Sequence, residues 1–364
     1  MKKETKFKFN AFLTQLAKIN DVSLSDLNSK FTVEPSVTQT LESKIQESSA
    51  FLTEINVVPV DEQSGERLGL GIGSTIAGTT DTSTKEREPT DPTYIDGDGY
   101  KCTQTNFDTA LPYPKLDMWA KFQDFQVRIR NAIVKRQALD RIMIGFNGVQ
   151  RAKTSNRTQN PLLQDVNKGW LQKIREDAPD RVMGSTTKDG VTTQGTVKIG
   201  KGGDYVNLDA VVMDAVNELI DVVYQDDDDL VVVCGRELLS DKYFPLVNQE
   251  QPNSEKIAAD LIISQKRMGG LQAVRAPFFP ATALLITRLD NLSIYWQEDT
   301  RRRAVIDNPK RDRIENFESV NEAYVVEDYR CAALVENIEI GDFSEPASPE
   351  STPVTDAPNA ETGA

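Results

Sequence analysis

Apolar residues recur at helical spacing in some stretches of this chain and alternate or run continuously in others, the pattern of a mixture of helices and strands. Phe9, Phe12, Leu13, Leu16 and Ile19 form one stripe of a short amphipathic helix. A helix this short cannot stabilise itself and must dock, on its own domain or on another chain. A longer run from Met118 to Phe146 would span about 43 Å as one helix. It places Met118, Phe122, Phe125, Ile129, Ala132, Ile133 and Met143 on one stripe, with Asp117 as N-cap and Gly145 and Gly148 as stop signals. Arg136 and Asp140 intrude on that stripe four residues apart, so they are expected to form a structural ion pair, with each other or with a neighbouring charge. Leu208, Val211, Val212, Ala215, Leu219 and Val222 mark a further helix. Strands are expected at 191–199, Leu230–Cys234, Leu284–Thr287, Leu292–Trp296, Ala323–Val326 and Ala332–Ile340. The predicted class is α+β, and no internal repeat is visible.

Two stretches have too little to bury. From Asp61 to Cys102 the chain is rich in Gly, Thr and Asp, with Leu68, Leu70 and Ile72 alternating and Asn106–Tyr113 as a candidate hairpin partner. About 40 such residues exceed an ordinary loop, so this arm is expected to be disordered in a lone subunit or stabilised by another chain. Ser344–Ala364 carries four prolines and four acidic residues without a Lys, Arg or aromatic, the composition of a disordered acidic tail.

Composition narrows the chemistry. The chain has 364 residues, a length that suggests about two domains. It contains no histidine, which excludes Ser-His-Asp and Cys-His catalysis and histidine metal ligation. Cys102, Cys234 and Cys331 are too widely spaced for a zinc motif and are read as free thiols in a reducing compartment. No apolar run approaches a membrane span, and Glu4, Lys6 and Lys8 stand where a signal peptide would be apolar, so synthesis in the cytosol is expected. The net charge is −14, with +3 in residues 1–31 and −17 in the remainder, which argues against a general nucleic-acid coat.

Short motifs carry little. Gly195–Lys201 resembles a phosphate-binding loop, but Gly202 replaces its Ser or Thr and Val197–Ile199 reads as strand. No helix follows Gly69, Gly71 and Gly73, as a dinucleotide site would need. Ser185 and Lys188 have dyad spacing, yet Asp189-Gly190 reads as a hairpin turn. Asp226–Asp229 lacks the spaced ligands and central Gly of a calcium loop and reads as a solvated turn. Arg301, Arg302, Arg303, Lys310, Arg311 and Arg313 form a basic run that could face phosphates or bridge to carboxylates of a neighbouring subunit.

Longer strings are more specific. Lys6-Phe-Lys-Phe-Asn-Ala11, Phe31-Thr-Val-Glu-Pro-Ser-Val-Thr-Gln-Thr40, Trp119-Ala-Lys-Phe-Gln-Asp-Phe-Gln126, Arg128-Ile-Arg-Asn-Ala132, Phe146-Asn-Gly-Val149 and Ile263-Ser-Gln-Lys266 resemble the major capsid proteins of Peduovirus-like tailed bacteriophages. The resemblance runs from about Met1 to Phe343. It implies a Hong Kong 97-type capsid fold with an N-terminal arm (32–60), an extended loop (61–116), a peripheral domain (117–205 and 291–343) holding a spine helix at 118–146, and an axial domain (206–290). Residues 1–31 would be an assembly segment removed by a phage prohead protease at about Phe31–Thr32, leaving the acidic tail 344–364 outside the match. The implied partners are further copies in hexamers and pentamers, a scaffolding protein, the portal and packaged double-stranded DNA bound without sequence specificity. No cofactor, metal or membrane is implied. An enzyme without histidine, or a nucleic-acid-binding assembly protein using residues 301–313, are the competing readings.

Overall fold

A computed structural model of the chain describes residues 1–66, 71–72, 77, 79–84, 86–87, 93–94, 99–119, 122, 124–188, 191–247 and 266–344. Leu68 and Leu70, Asp189-Gly190, Ile263–Gln265 and the acidic tail beyond Ser344 lie outside these residues, as does much of the arm expected between Asp61 and Cys102.

Two mixed sheets organise the molecule. The first runs Phe31–Thr32, Arg302–Asn308, Arg313–Val326, Leu292–Gln297, Asn56–Val60, with the long strand Arg313–Val326 at its centre. Thr103–Asn106 and Thr109–Pro112 also pair antiparallel with that long strand, at Ser319–Glu322 and Arg313–Asn316. Asn106–Tyr113 is therefore not the hairpin partner of the 68–72 run: the apolar parity was legible, but a partner 200 residues away cannot be read from a local pattern. The second sheet runs Arg267–Met268, Leu271–Arg275, Val231–Cys234, Leu284–Thr287, Ala332–Val335, Val182–Met183. Its inner strands are buried on both faces, which is why they read as continuous apolar runs. Period two divides their side chains between two cores. Val233, Leu285 and Leu334 join one core with the spine helix, while Val232, Leu284, Ile286 and Val335 join the other with the helix Leu208–Leu219.

The single spine expected from Met118 to Phe146 is two helices, Tyr113–Trp119 and Phe125–Asn147. Pro114, with its fixed φ, suits a first helical turn, so the first helix starts before Asp117, and Asp117 lies inside it instead of capping it. Met118 and Phe122 are exposed, and burial concentrates in the second half, at Ala138, Ile142, Met143, Ile144 and Phe146. Gly145 is not a stop. It lies within the helix, where a Cβ would stand 2.2 Å from the Trp170 ring. Gly148 does end the helix, and its N–H donates to the Ile144 carbonyl at 2.7 Å. Trp170 fills the space beside Gly145, packs against Phe51, Phe146 and Tyr324, and donates its indole N–H to the Ser293 carbonyl at 2.9 Å.

Candidate functional site

The amphipathic N-terminal helix forms over Lys3–Ile19 and docks on its own chain. Leu16, Ala17, Leu27, Phe31 and Val33 bury against Leu116, Val305 and Ile314 in a cluster separate from the two main cores, with Phe9, Phe12 and Leu13 partly buried beside them. Of the two docking partners left open by the sequence, the structure shows the helix's own domain. Asp117 anchors the other end. It accepts the Lys2 N–H at 2.8 Å, faces the Met1 ammonium at 3.9 Å, and a hydrogen bond from Thr5 together with the Lys2 N–H holds its carboxyl below the usual range. Phe31 and Thr32 form an edge strand paired with Arg303 and Arg302, and Phe31 is only 8% exposed.

Behind this edge lies a buried ion cluster that the sequence reading missed. Arg141 of the spine helix donates through Nη1 and Nη2 to both oxygens of Glu42, on the arm helix Pro35–Glu47, at 2.6 and 3.0 Å. Its Nε and Nη2 reach Glu322 Oε1 on the long strand at 2.8 and 2.5 Å. Arg301 closes the chain of contacts with hydrogen bonds to Glu42 and Glu318. Arg141 is 1% exposed, Glu42 4% and Glu322 0%. Burial alone would raise the Glu42 carboxyl, but the two guanidiniums and their hydrogen bonds carry it down to about 2. Glu322, held by Arg141 but near Glu42, is instead raised by burial. Three carboxylates thus face two guanidiniums away from water, and Glu322 Oε2 has no hydrogen-bond partner among the described residues. The cluster ties arm helix, spine helix and central strand to one another.

The basic run divides accordingly. Arg301 does not share a surface with the others, because it is spent inside the cluster. Arg303 donates to Asn316 at 2.7 Å and Arg313 to Glu315 at 2.7 Å, both half-buried, leaving Arg302, Lys310 and Arg311 exposed. Arg136 and Asp140 approach to 2.5 Å, but Arg136 is 57% exposed, so the pair sits on the rim of a cleft of about 860 Å³ and not in the core. Burial raises the Asp140 carboxyl, and Arg136 opposes that.

The remaining motifs gain no chemistry from the fold. Val197–Ile199 is a strand pairing parallel with Ile338–Ile340, and Ser185–Lys188 pairs antiparallel with Val191–Gln194. Asp227 in the acidic turn is engaged by Arg288 at 2.9 Å. Burial pushes the thiols of Cys102, Cys234 and Cys331 up to about 12, 11 and 11, far from a reactive thiolate. Among the described residues no group of three acidic or cysteine side chains could hold a metal, and no helix is long and apolar enough to cross a membrane.

Comparison with known proteins gives this architecture its class. The family described as phage major capsid protein, P2 family, matches residues 8–338. The capsid protein of Escherichia phage P2 is 58% identical over 355 residues, covering 97% of this chain and 99% of that one. The major capsid protein of Serratia phage KSP20 is 40% identical over 342 residues, covering 93% and 97%. A chain of the satellite phage P4 procapsid that includes the size determination (Sid) protein superposes with a TM-score of 0.78 at 56% identity, covering 94% of this chain and all of that one. The α+β architecture of the chain is the Hong Kong 97-type capsid fold. This chain belongs to the P2 family of phage major capsid proteins.

Proposed function

We propose that this capsid protein closes as hexamers and pentamers into an icosahedral head around double-stranded DNA, and that it loses residues 1–31 near Thr32 during maturation. The observation that carries the second part is the separateness of the segment. None of residues 1–31 contributes to the two large cores, and their buried apolar side chains gather in the third cluster. Their removal therefore spares the body of the fold. A segment of charge +3 on a body of −17 also suits docking during assembly, when a weak, salt-sensitive attachment is useful. Scaffolding protein, protease and portal are the partners that this reading requires. Arg302, Lys310 and Arg311 are exposed and are the side chains of the basic run placed to meet DNA phosphates or a neighbouring subunit's carboxylates. In the shell, the arm between residues 61 and 102 would lie on a neighbouring subunit. Intact-mass analysis of chains from DNA-filled particles tests the proposal: chains starting near Thr32 support it, and chains starting at Met1 or Lys2 refute the processing step.

A further inference from the structure

A protease holds its substrate as an extended strand, with several residues on each side of the scissile bond free of other pairing. The Phe31–Thr32 junction is extended, but that extended conformation is already in use. Phe31 and Thr32 pair with Arg303 and Arg302, and the Val33 N–H donates to the Arg301 carbonyl at 2.9 Å. The Phe31 ring and the Leu27 and Val33 side chains are buried against Val305, Ile314 and Leu116. Asn20 bridges the two sides of the junction. Its side-chain amide donates to the Leu16 carbonyl at 2.9 Å, and its Oδ1 accepts the Glu34 N–H at 3.4 Å. Asp117 holds the far end of the same segment through the Lys2 N–H.

From this geometry we infer that the folded subunit seals its own processing junction, so that cutting is confined to subunits whose N-terminal helix has left the groove formed by Leu116, Val305 and Ile314. This rests on the proposed cut near Thr32 and adds its control. The same contacts that dock the helix also hide the bond. Undocking and exposure are thus one event, and anything that competes for the groove or for Asp117 licenses cleavage.

Chymotrypsin tests the seal directly, because its pocket must take the Phe31 ring out of the cluster. On the purified full-length chain, cutting after Phe31 should be at least about 100-fold slower than in a free peptide of residues 25–40, since the rate follows the small population of the open form. Leu16→Ala should raise that rate at least about tenfold, and Asp117→Asn, a milder change at the other end, about threefold. Cuts after the core residues Tyr295 and Trp296 report general unfolding and should not change in Asp117→Asn. If Leu16→Ala accelerates those cuts as well, Asp117→Asn alone decides. A wild-type rate equal to that of the peptide, or an Asp117→Asn rate equal to that of wild type, overturns the seal. The proposed cut fails separately. Mature chains starting elsewhere would remove it without touching the chymotryptic protection, and rapid cutting by chymotrypsin would remove the seal without touching the mature N-terminus.

Discussion

Replacing Arg141 with Met is the sharpest test of what holds the arm to the spine. Met keeps an unbranched chain in the cavity but leaves Glu42 and Glu322 facing each other with only Arg301 nearby. Removing one partner of a buried ion pair costs about 3–5 kcal/mol, because the surviving charges remain out of water. The structure gives a second route to the size. The Glu42 carboxyl is held at about 2 against 4.5, and at about 1.4 kcal/mol per unit this amounts to roughly 3 kcal/mol from both guanidiniums, net of burial. The expected loss in melting temperature for the full-length chain at pH 7 is therefore about 4–7 °C. Acid should discriminate further. A carboxyl whose folded pKa is depressed contributes stability that is present above its unfolded value of 4.5 and is lost as pH falls toward about 2. Glu322, raised by burial, has the opposite sign, with its contribution present below 4.5 and lost as pH rises through its folded value. Wild type should thus lose stability between pH 4.5 and 2 more steeply than Arg141→Met. Adding Glu322→Gln to Arg141→Met should recover part of the loss by discharging one orphan. Calorimetric melts across that range measure all of these outcomes. A shift below about 2 °C at pH 7, with the acid slope unchanged, would refute the reasoning.

Other consequences are simpler to check. Gly145→Ala should destabilise by about 1–3 kcal/mol, because its new methyl would overlap Trp170, and a urea melt with an unchanged midpoint would contradict this. Arg136 and Asp140 should couple by no more than about 1 kcal/mol in a double-mutant cycle, since Arg136 is largely exposed, and a coupling above about 3 kcal/mol would place the pair in the core after all. Replacing Arg302, Lys310 and Arg311 together with Gln should leave the melting temperature within about 2 °C of wild type, because all three are exposed, and a larger drop would show that they hold the fold itself.

The sequence was legible where packing is local and illegible where it is not. Leu284–Thr287 reads as a strand with its observed limits, and the helix of the Phe9 stripe forms as its spacing implies, because buried apolar residues declare their own period. The long strand was seen only as Ala323–Val326, since Glu315, Asn316, Glu318, Asn321 and Glu322 interrupt its apolar pattern. Yet Glu318 and Glu322 share inward parity with Ile314, Val320 and Tyr324, and that was the one available sign of buried charge. The partners could not be read at all. Glu42, Arg141, Arg301 and Glu322 meet across separations of 99 to 259 residues, and only topology brings them together. Arg136 drew attention as the intruder on the helical stripe, while the residue with the buried role stands five positions later, on the face turned toward the central strand.

Electron cryomicroscopy of DNA-filled particles bears most directly on the whole account. It predicts this chain repeated in hexameric and pentameric capsomers of a closed shell, with no density for residues 1–31 over Leu116, Val305 and Ile314. A shell built from a different chain, or one in which the N-terminal helix still covers those three residues, would contradict it.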